Sequence, residues 1–451
     1  MKKTIILIGL FLTLVSYKLE AQQPLLSHVF AADPSAHIWP KDTTTLWLYT
    51  SHDEIGTNTH KTMFSYHAFS TRDLVNWTDH GRILSVDDVS WASTMAWAID
   101  AVYWQGKYYL VHCMKERATG TTRTGLAVSD YPQGPFRDAG YINGVEFGQD
   151  PCLFVDDDGT PYLFWGPGYQ CYGAELNTDL RSIKLNTLTN LTKQAHEVFE
   201  GPWVHKYNGK YYLSYPGLQD NKWPEQMYYA TADKPLGPYT YQKIFIPTFD
   251  LSSSTNHGSI IRWKDKWIAF HHSSHLSEGN LHCRSLLADW LSYNENGEIS
   301  TISAPKGLGL AEKTNVTIVL EAENAPLQGG KLDGTYVGVT KDGYTGTGYV
   351  TGFETDFNYI QVMVQVAKKM KADLTIRIDA EEDVHVDFLV GSTILNYEWE
   401  GMLIKKTDGW QDIQFNDIQL EPGNNPIRIQ SYQDSGFKVD NFRIINISVE
   451  E

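Results

Sequence analysis

The sequence predicts an all-β chain: a five-bladed β-propeller over residues 22–305, a linker over 306–315 and a jelly-roll-like β-sandwich over 316–451. Three observations predict it. A turn followed by an aromatic strand recurs five times, no convincing ten-residue amphipathic helix separates the copies, and the composition changes after Ala304. The recurring unit is clearest in Gly106-Lys107-Tyr108-Tyr109-Leu110 and Gly209-Lys210-Tyr211-Tyr212-Leu213. Gly159-Thr160-Pro161-Tyr162-Leu163, Asp265-Lys266-Trp267-Ile268-Ala269 and Thr45-Leu46-Trp47-Leu48-Tyr49 are weaker copies. Turn dipeptides such as Gln105-Gly106, Asp158-Gly159 and Asn208-Gly209 precede them, supplying the positive φ that two-residue hairpins need. The aromatic centres Trp47, Tyr108, Tyr162, Tyr211 and Trp267 are 61, 54, 49 and 56 residues apart, the size of a four-stranded blade with generous loops. Asp73-Leu74-Val75-Asn76-Trp77, Gly134-Pro135-Phe136 and Gly237-Pro238-Tyr239 mark second hairpins.

Residues 306–315 lack strand alternation. Beyond Val316, alternating segments return with far fewer Trp, as in Val362-Met363-Val364-Gln365-Val366 and Leu374-Thr375-Ile376-Arg377-Ile378. Short strands with Gly and Asn turns predict a sandwich. At the other end, Lys2 and Lys3, the apolar run Ile5–Val15 and Leu19-Glu20-Ala21 read as a signal peptide over 1–21, implying a secreted or periplasmic protein. That run is short for a membrane span and no later segment supplies one. Cys113, Cys152, Cys171 and Cys283 match no zinc spacing; buried thiols are expected, with a Cys152–Cys171 disulfide, which export would permit, as the alternative.

The formal charge of −17, from 54 acidic and 37 basic side chains in 451 residues, repels phosphate backbones and argues against a nucleic-acid partner. It does not penalise neutral sugars, and the 13% aromatic content suits flat sugar-binding surfaces.

The chemistry lies upstream of the turns. Asp33, Asp100, Asp150, Glu200 and His257 precede Asp42, Gly106, Gly159, Gly209 and Asp265 by 9, 6, 9, 9 and 8 residues. One short strand separates each from its hairpin, and the inner strands of a propeller surround one axis, so these groups are expected to converge at one mouth of the channel. Paired carboxyls there suit glycoside hydrolysis, one protonated to donate to the leaving oxygen and one ionised to activate water. Taken singly, Asp33-Pro34 and Asp150-Pro151 read as turn initiators and His257 as a structural histidine; the shared phase favours catalysis. Asp156-Asp157-Asp158 reads as a solvated hairpin rather than a metal cluster.

Ala32-Asp33-Pro34-Ser35, Asp150-Pro151 with Phe154-Val155-Asp156-Asp157-Asp158-Gly159, Glu200-Gly201-Pro202 and His257-Gly258-Ser259-Ile260 resemble family 43 glycoside hydrolases over about residues 25–300. The resemblance implies Asp33 as general base, Glu200 as general acid and Asp150 as the group that raises and orients the acid. It implies a central His257, often beside a water-coordinated calcium, and an Arg284 that contacts sugar. Trp97 and Asp100 are carried as substrate contacts, although Trp97-Ala98-Ile99-Asp100 has Ile99 where the family usually has Pro. The tail, with Leu320-Glu321-Ala322-Glu323-Asn324 and Val439-Asp440-Asn441-Phe442, resembles carbohydrate-binding modules of families 6 and 35. That implies a structural calcium on Glu321, Glu323 and Asp440, and Tyr349 and Trp410 as candidates for a sugar platform. The expected activity is an α-L-arabinofuranosidase or β-xylosidase on plant polysaccharide fragments; a galactosidase or galactofuranosidase, or an inactive sugar-binding protein, are the alternatives.

Overall fold

The computed structural model describes residues 24–310, 316–325, 335–354, 358–391, 399–431 and 436–449. The predicted signal peptide and the second half of the predicted linker therefore lie outside the described residues. The chain is all-β: helical segments among the described residues are 3-10 turns of three residues, and no helix among them is long and apolar enough to cross a membrane.

Up to Leu291 the strands form five successive antiparallel sheets. The first holds β1 (Ala31–Trp39), β2 (Asp42–His52), β3 (Ser65–Thr71) and β4 (Trp77–Ser85). The second holds β5 (Ala92–Thr94), β6 (Ile99–Trp104), β7 (Lys107–Glu116), β8 (Thr122–Ser129) and β9 (Arg137–Tyr141). The third holds β10 (Cys152–Val155), β11 (Pro161–Trp165), β12 (Tyr172–Glu175) and β13 (Thr189–Asn190), and the fourth β14 (Trp203–Tyr207), β15 (Lys210–Gly217), β16 (Gln226–Ala232) and β17 (Thr240–Ile246). The fifth holds β18 (Ser259–Trp263), β19 (Lys266–Ser273) and β20 (Ser285–Leu291).

The turns form as their residues dictate. Gln105-Gly106 and Asn208-Gly209 take φ of 48° and 88° and of 48° and 76°, which closes Trp104 onto Lys107 and Tyr207 onto Lys210. Strands β1, β6, β10, β14 and β18 touch one another in that order and β18 returns to β1, so they enclose an axis. Ring closure is made by the start of the chain, where the Leu25 N–H donates to Leu286 O at 2.9 Å. Each pair of neighbouring sheets shares its own apolar cluster. Trp39, Tyr49, Tyr108 and Leu110 join the first to the second, Val111, Leu126, Leu163 and Trp165 the second to the third, and Phe164, Leu213, Tyr215 and Tyr228 the third to the fourth. The four cysteines are buried and free.

The C-terminal strands are β21 (Thr317–Glu321), β22 (Tyr336–Gly338), β23 (Tyr349–Thr351), β24 (Tyr359–Val366), β25 (Met370–Ala380), β26 (Val384–Val390), β27 (Trp399–Ile404), β28 (Gln411–Leu420), β29 (Gly423–Ser431) and β30 (Phe437–Val449). One sheet runs β24-β29-β26-β27; the other is built on β30, which pairs with β21, β23 and β25, while β25 also pairs with β28. Alternate residues of both sheets, among them Val362, Phe388 and Ile429 from one and Ile376, Phe415 and Phe442 from the other, meet in a single apolar cluster.

The two regions are joined by backbone. Strand β21 pairs parallel to β4, with Ile318, Val319 and Leu320 opposite Trp77, Thr78 and Asp79. Gln365 of β24 adds a side-chain link, its Oε1 accepting the Phe30 N–H at 3.2 Å. Trp77 is 1% exposed and packs in the cluster that contains Ile318, Leu74 and Phe270. Trp77→Ala is therefore expected to cost about 3–5 kcal/mol in urea denaturation, as large aromatic truncations in cores do; an unchanged midpoint would contradict this packing.

Candidate active site

At the N-terminal ends of the ring strands lies a cavity of about 280 Å³. Each sheet contributes: Asp33 from β1, Trp97 and Ala98 ahead of β6, Gln149 and Asp150 ahead of β10, Phe199 and Glu200 ahead of β14, and Thr255 and His257 ahead of β18, with Arg284, His60, Met63 and Gly168 completing the wall. Local backbone geometry aims two of the acids. Asp33 has φ 55° at a register break between Ala32 and Ser35, and Asp150 has φ 49°. Left-handed conformations are uncommon outside glycine but best tolerated by Asn and Asp, and they recur where a side chain is turned to a task.

Asp33 is held as an anion. Burial works to raise it, but the Arg284 guanidinium and His272 outweigh that and hold it well below the usual carboxylate range. Arg284 Nη1 donates to Asp33 Oδ1 at 3.1 Å, Ser51 Oγ donates to Oδ2 at 2.5 Å, and His272 Nε2 stands 3.4 Å from Oδ1. Arg284, 3% exposed, is itself fixed by Asp53, which accepts from Nε at 2.9 Å and from Nη2 at 2.8 Å. His257 Nδ1 lies 3.8 Å from Asp33 Oδ1, and burial lowers its basicity, so the ring is neutral near pH 7.

The other two acids are pushed the opposite way. Burial and the Asp33 charge raise Asp150 to about 7. Burial, then the charges of Glu225, Asp150 and Asp33, push Glu200 well above the carboxylate range. Gln149 ties them together, its Nε2 donating to Asp150 Oδ2 at 3.1 Å and to Glu200 Oε2 at 2.8 Å. Cys113 Sγ lies 3.8 Å from Asp150 Oδ1 and accepts the Asp150 N–H at 3.5 Å. The cavity thus holds one ionised carboxylate and two carboxyls that favour their protons, the division that general acid–base chemistry requires.

Asp100 corrects an expectation: it does not line this cavity. It is 1% exposed, with Oδ1 bonded to Ser35 Oγ and His37 Nε2 at 2.7 Å each and Oδ2 accepting the Leu153 N–H at 2.6 Å. The reason is its offset. Asp100 lies six residues before Gly106, inside β6, whereas Trp97 lies nine before it and takes the position equivalent to Asp33, Asp150 and Glu200. Asp100 therefore clamps the axis beneath the cavity. Sequence reasoning missed Asp53, His272, Gln149 and Glu225, which sit at strand ends or in loops with no repeat signal.

Residues 22–299 match the family described as glycosyl hydrolases family 43. The chain belongs to that family. Family 43 enzymes hydrolyse glycosidic bonds, and the relatives agree. Xylosidase/arabinosidase 43A of Humicola insolens is 34% identical over 333 residues, 62% of this chain and 98% of the relative. The crystal structure of a β-xylosidase/α-arabinofuranosidase from a compost metagenome, in complex with xylotriose, is 32% identical, with a TM-score of 0.57 over 62% of this chain and 97% of that one. An arabinoxylan arabinofuranohydrolase of Bacillus subtilis shares the fold over 94% of this chain and 98% of its own, with a TM-score of 0.58 at 22% identity.

Outside the family 43 match, Tyr349 is a second correction. It is 2% exposed, its hydroxyl bonded to Thr340 Oγ1 at 3.1 Å and its ring edge-on to Trp410 at 5.5 Å, so it is core and no platform. Trp410 is half-buried and donates from its indole N–H to Asp342 O at 3.0 Å. Glu321, Glu323 and Asp440 gather round Thr345–Thr347. Thr345 Oγ1 donates to Glu321 Oε2 at 2.8 Å, the Thr345 N–H to Asp440 Oδ1 at 2.8 Å and the Thr347 N–H to Glu323 Oε1 at 2.6 Å. Arg377 Nε pairs with Asp440 Oδ2 at 2.9 Å. Among the described residues no set of three or more His, Cys, Asp or Glu side chains is arranged as metal ligands.

The Asp150 carboxyl carries a stability signature. Its folded pKa of about 7 lies above the ordinary unfolded value of about 3.9, so folding tightens its hold on a proton. Its ionisation then costs stability as pH rises through about 7, while below about pH 4 both states are protonated and the cost disappears. Asp150→Asn is expected to melt above the native protein at about pH 8 and level with it at about pH 3; a melting difference independent of pH would overturn the assignment.

Proposed function

We propose that this family 43 member is a secreted or periplasmic, inverting exo-glycosidase that releases α-L-arabinofuranosyl or β-xylosyl ends from plant polysaccharide fragments. It would be built as a five-bladed β-propeller followed by a carbohydrate-binding β-sandwich. The observation that carries the reading is the opposite polarisation of Asp33 and Glu200 within one cavity. The five-sheet ring and the two C-terminal sheets round one core support the architecture. The xylosidase and arabinosidase names of the relatives support the choice of sugar.

In this mechanism Asp33, anionic beside Arg284, takes a proton from the water that attacks the anomeric carbon. Glu200 gives its proton to the leaving oxygen. Asp150, joined to Glu200 through Gln149, disfavours Glu200 ionisation and fixes its orientation. Asp33 and Glu200 stand on the first and fourth sheets, which are not neighbours in the ring. Inversion needs about 6.5–9.5 Å between the two carboxyls so that water fits on the far face of the sugar. Thr255, His257 and Trp97 would shape the sugar pocket between them. Removing either acid–base partner is expected to cost about 10²–10⁴-fold in kcat. Glu200→Ala should spare substrates with activated leaving groups and Asp33→Ala should not. Early-time NMR of the released anomer is the decisive measurement: retention, or full activity in either variant, would sink the assignment.

We further propose that the C-terminal carboxyls, which are not arranged as a ligand set without metal, draw together around a structural calcium. Burial, then the Glu323 charge, raises Glu321 to about 8, and burial with the Asp440 charge raises Glu323 to about 7. Glu323 Oε2 is buried without a hydrogen-bond partner. A hard divalent cation held by Glu321, Glu323 and Asp440 would supply the missing counter-charge and oxygen contact, a structural role with no part in catalysis. The same reading puts a second, water-held calcium beside His257. A chelator should lower the Tm and calcium should restore it, with bound metal found by elemental analysis; an unchanged melt and no metal would refute the site.

A further inference from the structure

Glu225 takes no part in the steps above, yet it is a carboxyl only 1% exposed. It follows Trp223-Pro224 and precedes β16. Its Oε2 accepts the Asn256 N–H at 2.6 Å, and its own N–H donates to Ser254 O at 3.0 Å. The two bonds straddle Thr255. Its Oε1 is buried without a partner.

The segment it grips is where the fifth sheet meets the cavity. Ser253 Oγ donates to Thr255 O at 2.7 Å and bonds His272 Nδ1 at 2.9 Å. Thr255 Oγ1 accepts from Arg284 Nη1 at 3.2 Å. His257 faces Asp33 on one side and Gly201 on the other; a Cβ at Gly201 would come within 3.1 Å of His257 Cδ2. Glu200 is the residue before Gly201, so a shift of Asn256 passes through His257 to the carboxyl that donates the proton.

We propose that Glu225 is a positioning residue for the proton donor: it pins Ser254–Asn256, keeps His257 seated against Gly201, and presents a like charge to Glu200. The inference rests on the reading of Glu200 as the acid. Burial, then the charges of Asp150 and Asp33, push Glu225 itself well above the carboxylate range against the Asn256 N–H and Arg284, which favour its ionisation, so its charge bears on Glu200 at the alkaline limb. His257 and His272, on the segments packed beside it, are lowered by burial and neutral near pH 7. Glu200 in turn feels Glu225 more strongly than any other charge. An adjacent anion makes a carboxyl hold its proton to higher pH, which is what a donor working near neutrality needs.

Glu225→Gln separates the two tasks, because the amide oxygen still accepts the Asn256 N–H while the charge is gone. The alkaline limb of its kcat/KM profile, where Glu200 loses its proton, is expected to move to lower pH. The acidic limb, set by Asp33, should stay. The loss should be greater on a phenyl than on a 4-nitrophenyl glycoside, which needs less protonation. Glu225→Ala also removes the pin and should lower kcat about 10- to 100-fold further, the scale of a small misplacement of reacting groups. An unmoved alkaline limb in Glu225→Gln overturns the proposal, whether activity is native or uniformly reduced. Should Glu225→Ala fail to fold, the isosteric Gln variant still reads the limb. Glu200→Gln, run in parallel, tells the two failures apart. Native rates on phenyl glycosides in that variant would remove the acid assignment itself. A crippled Glu200→Gln beside an unshifted Glu225→Gln would remove only the role of Glu225.

Discussion

A full positive charge sits at Arg284 where almost no water reaches, 3% exposed, and its guanidinium is divided between Asp53 and Asp33. Removing one partner from a buried ion pair is costly, because the other is left charged and unsolvated. Asp53 therefore secures Arg284, and Arg284 keeps Asp33 ionised despite burial. The Asp33 charge in turn helps to keep Asp150 and Glu200 protonated. The division of labour among three acids in one cavity thus follows from burial, which raises all three, and from a cation that outweighs it at Asp33. The Arg284 backbone carbonyl also accepts the Ala31 N–H, so the residue that polarises the site belongs to the seam that closes the ring.

Much of this was legible in the chain. A turn followed by an aromatic strand recurred five times, three of the turns with Gly at the second position, and that recurrence matches the five sheets. The constant interval of nine residues between turn and functional side chain placed Asp33, Asp150 and Glu200 at one level of the axis, because strands of equal length rise by equal amounts. The same rule, applied strictly, would have chosen Trp97 over Asp100. A carboxylate draws the eye, but three residues along a strand carry a side chain about 10 Å down the channel. Asp100 met His37 and Ser35 there and became a strut.

Other residues were hidden for physical reasons. Asp53 and His272 lie at the far ends of second strands, where no periodic signal marks an inward-facing group. Gln149 and Glu225 act through hydrogen bonds that reach from one sheet's loop to the next, and such contacts depend on loop paths that local pattern does not encode. Tyr349 was misjudged for another reason. The resemblance to carbohydrate-binding modules made it a platform candidate, yet Thr340 satisfies its hydroxyl and Trp410 covers its ring. An aromatic with a polar handle suits a core as well as a surface.

The parallel pairing of β21 with β4 has a consequence for the edge of the first sheet. Strand β4 is the last of its sheet, and the last strand of any sheet carries a row of free amide and carbonyl groups able to recruit a foreign strand. Here Thr317–Glu321 occupies the Trp77–Asp79 part of that row from within the same molecule, and β30 occupies the other side of β21 in turn. A fragment ending at residue 310 would keep every cavity residue named above but would bare this edge beside Trp77. Such a fragment would offer that stretch to any strand able to pair with it, so the C-terminal region caps the first sheet as well as extending the chain.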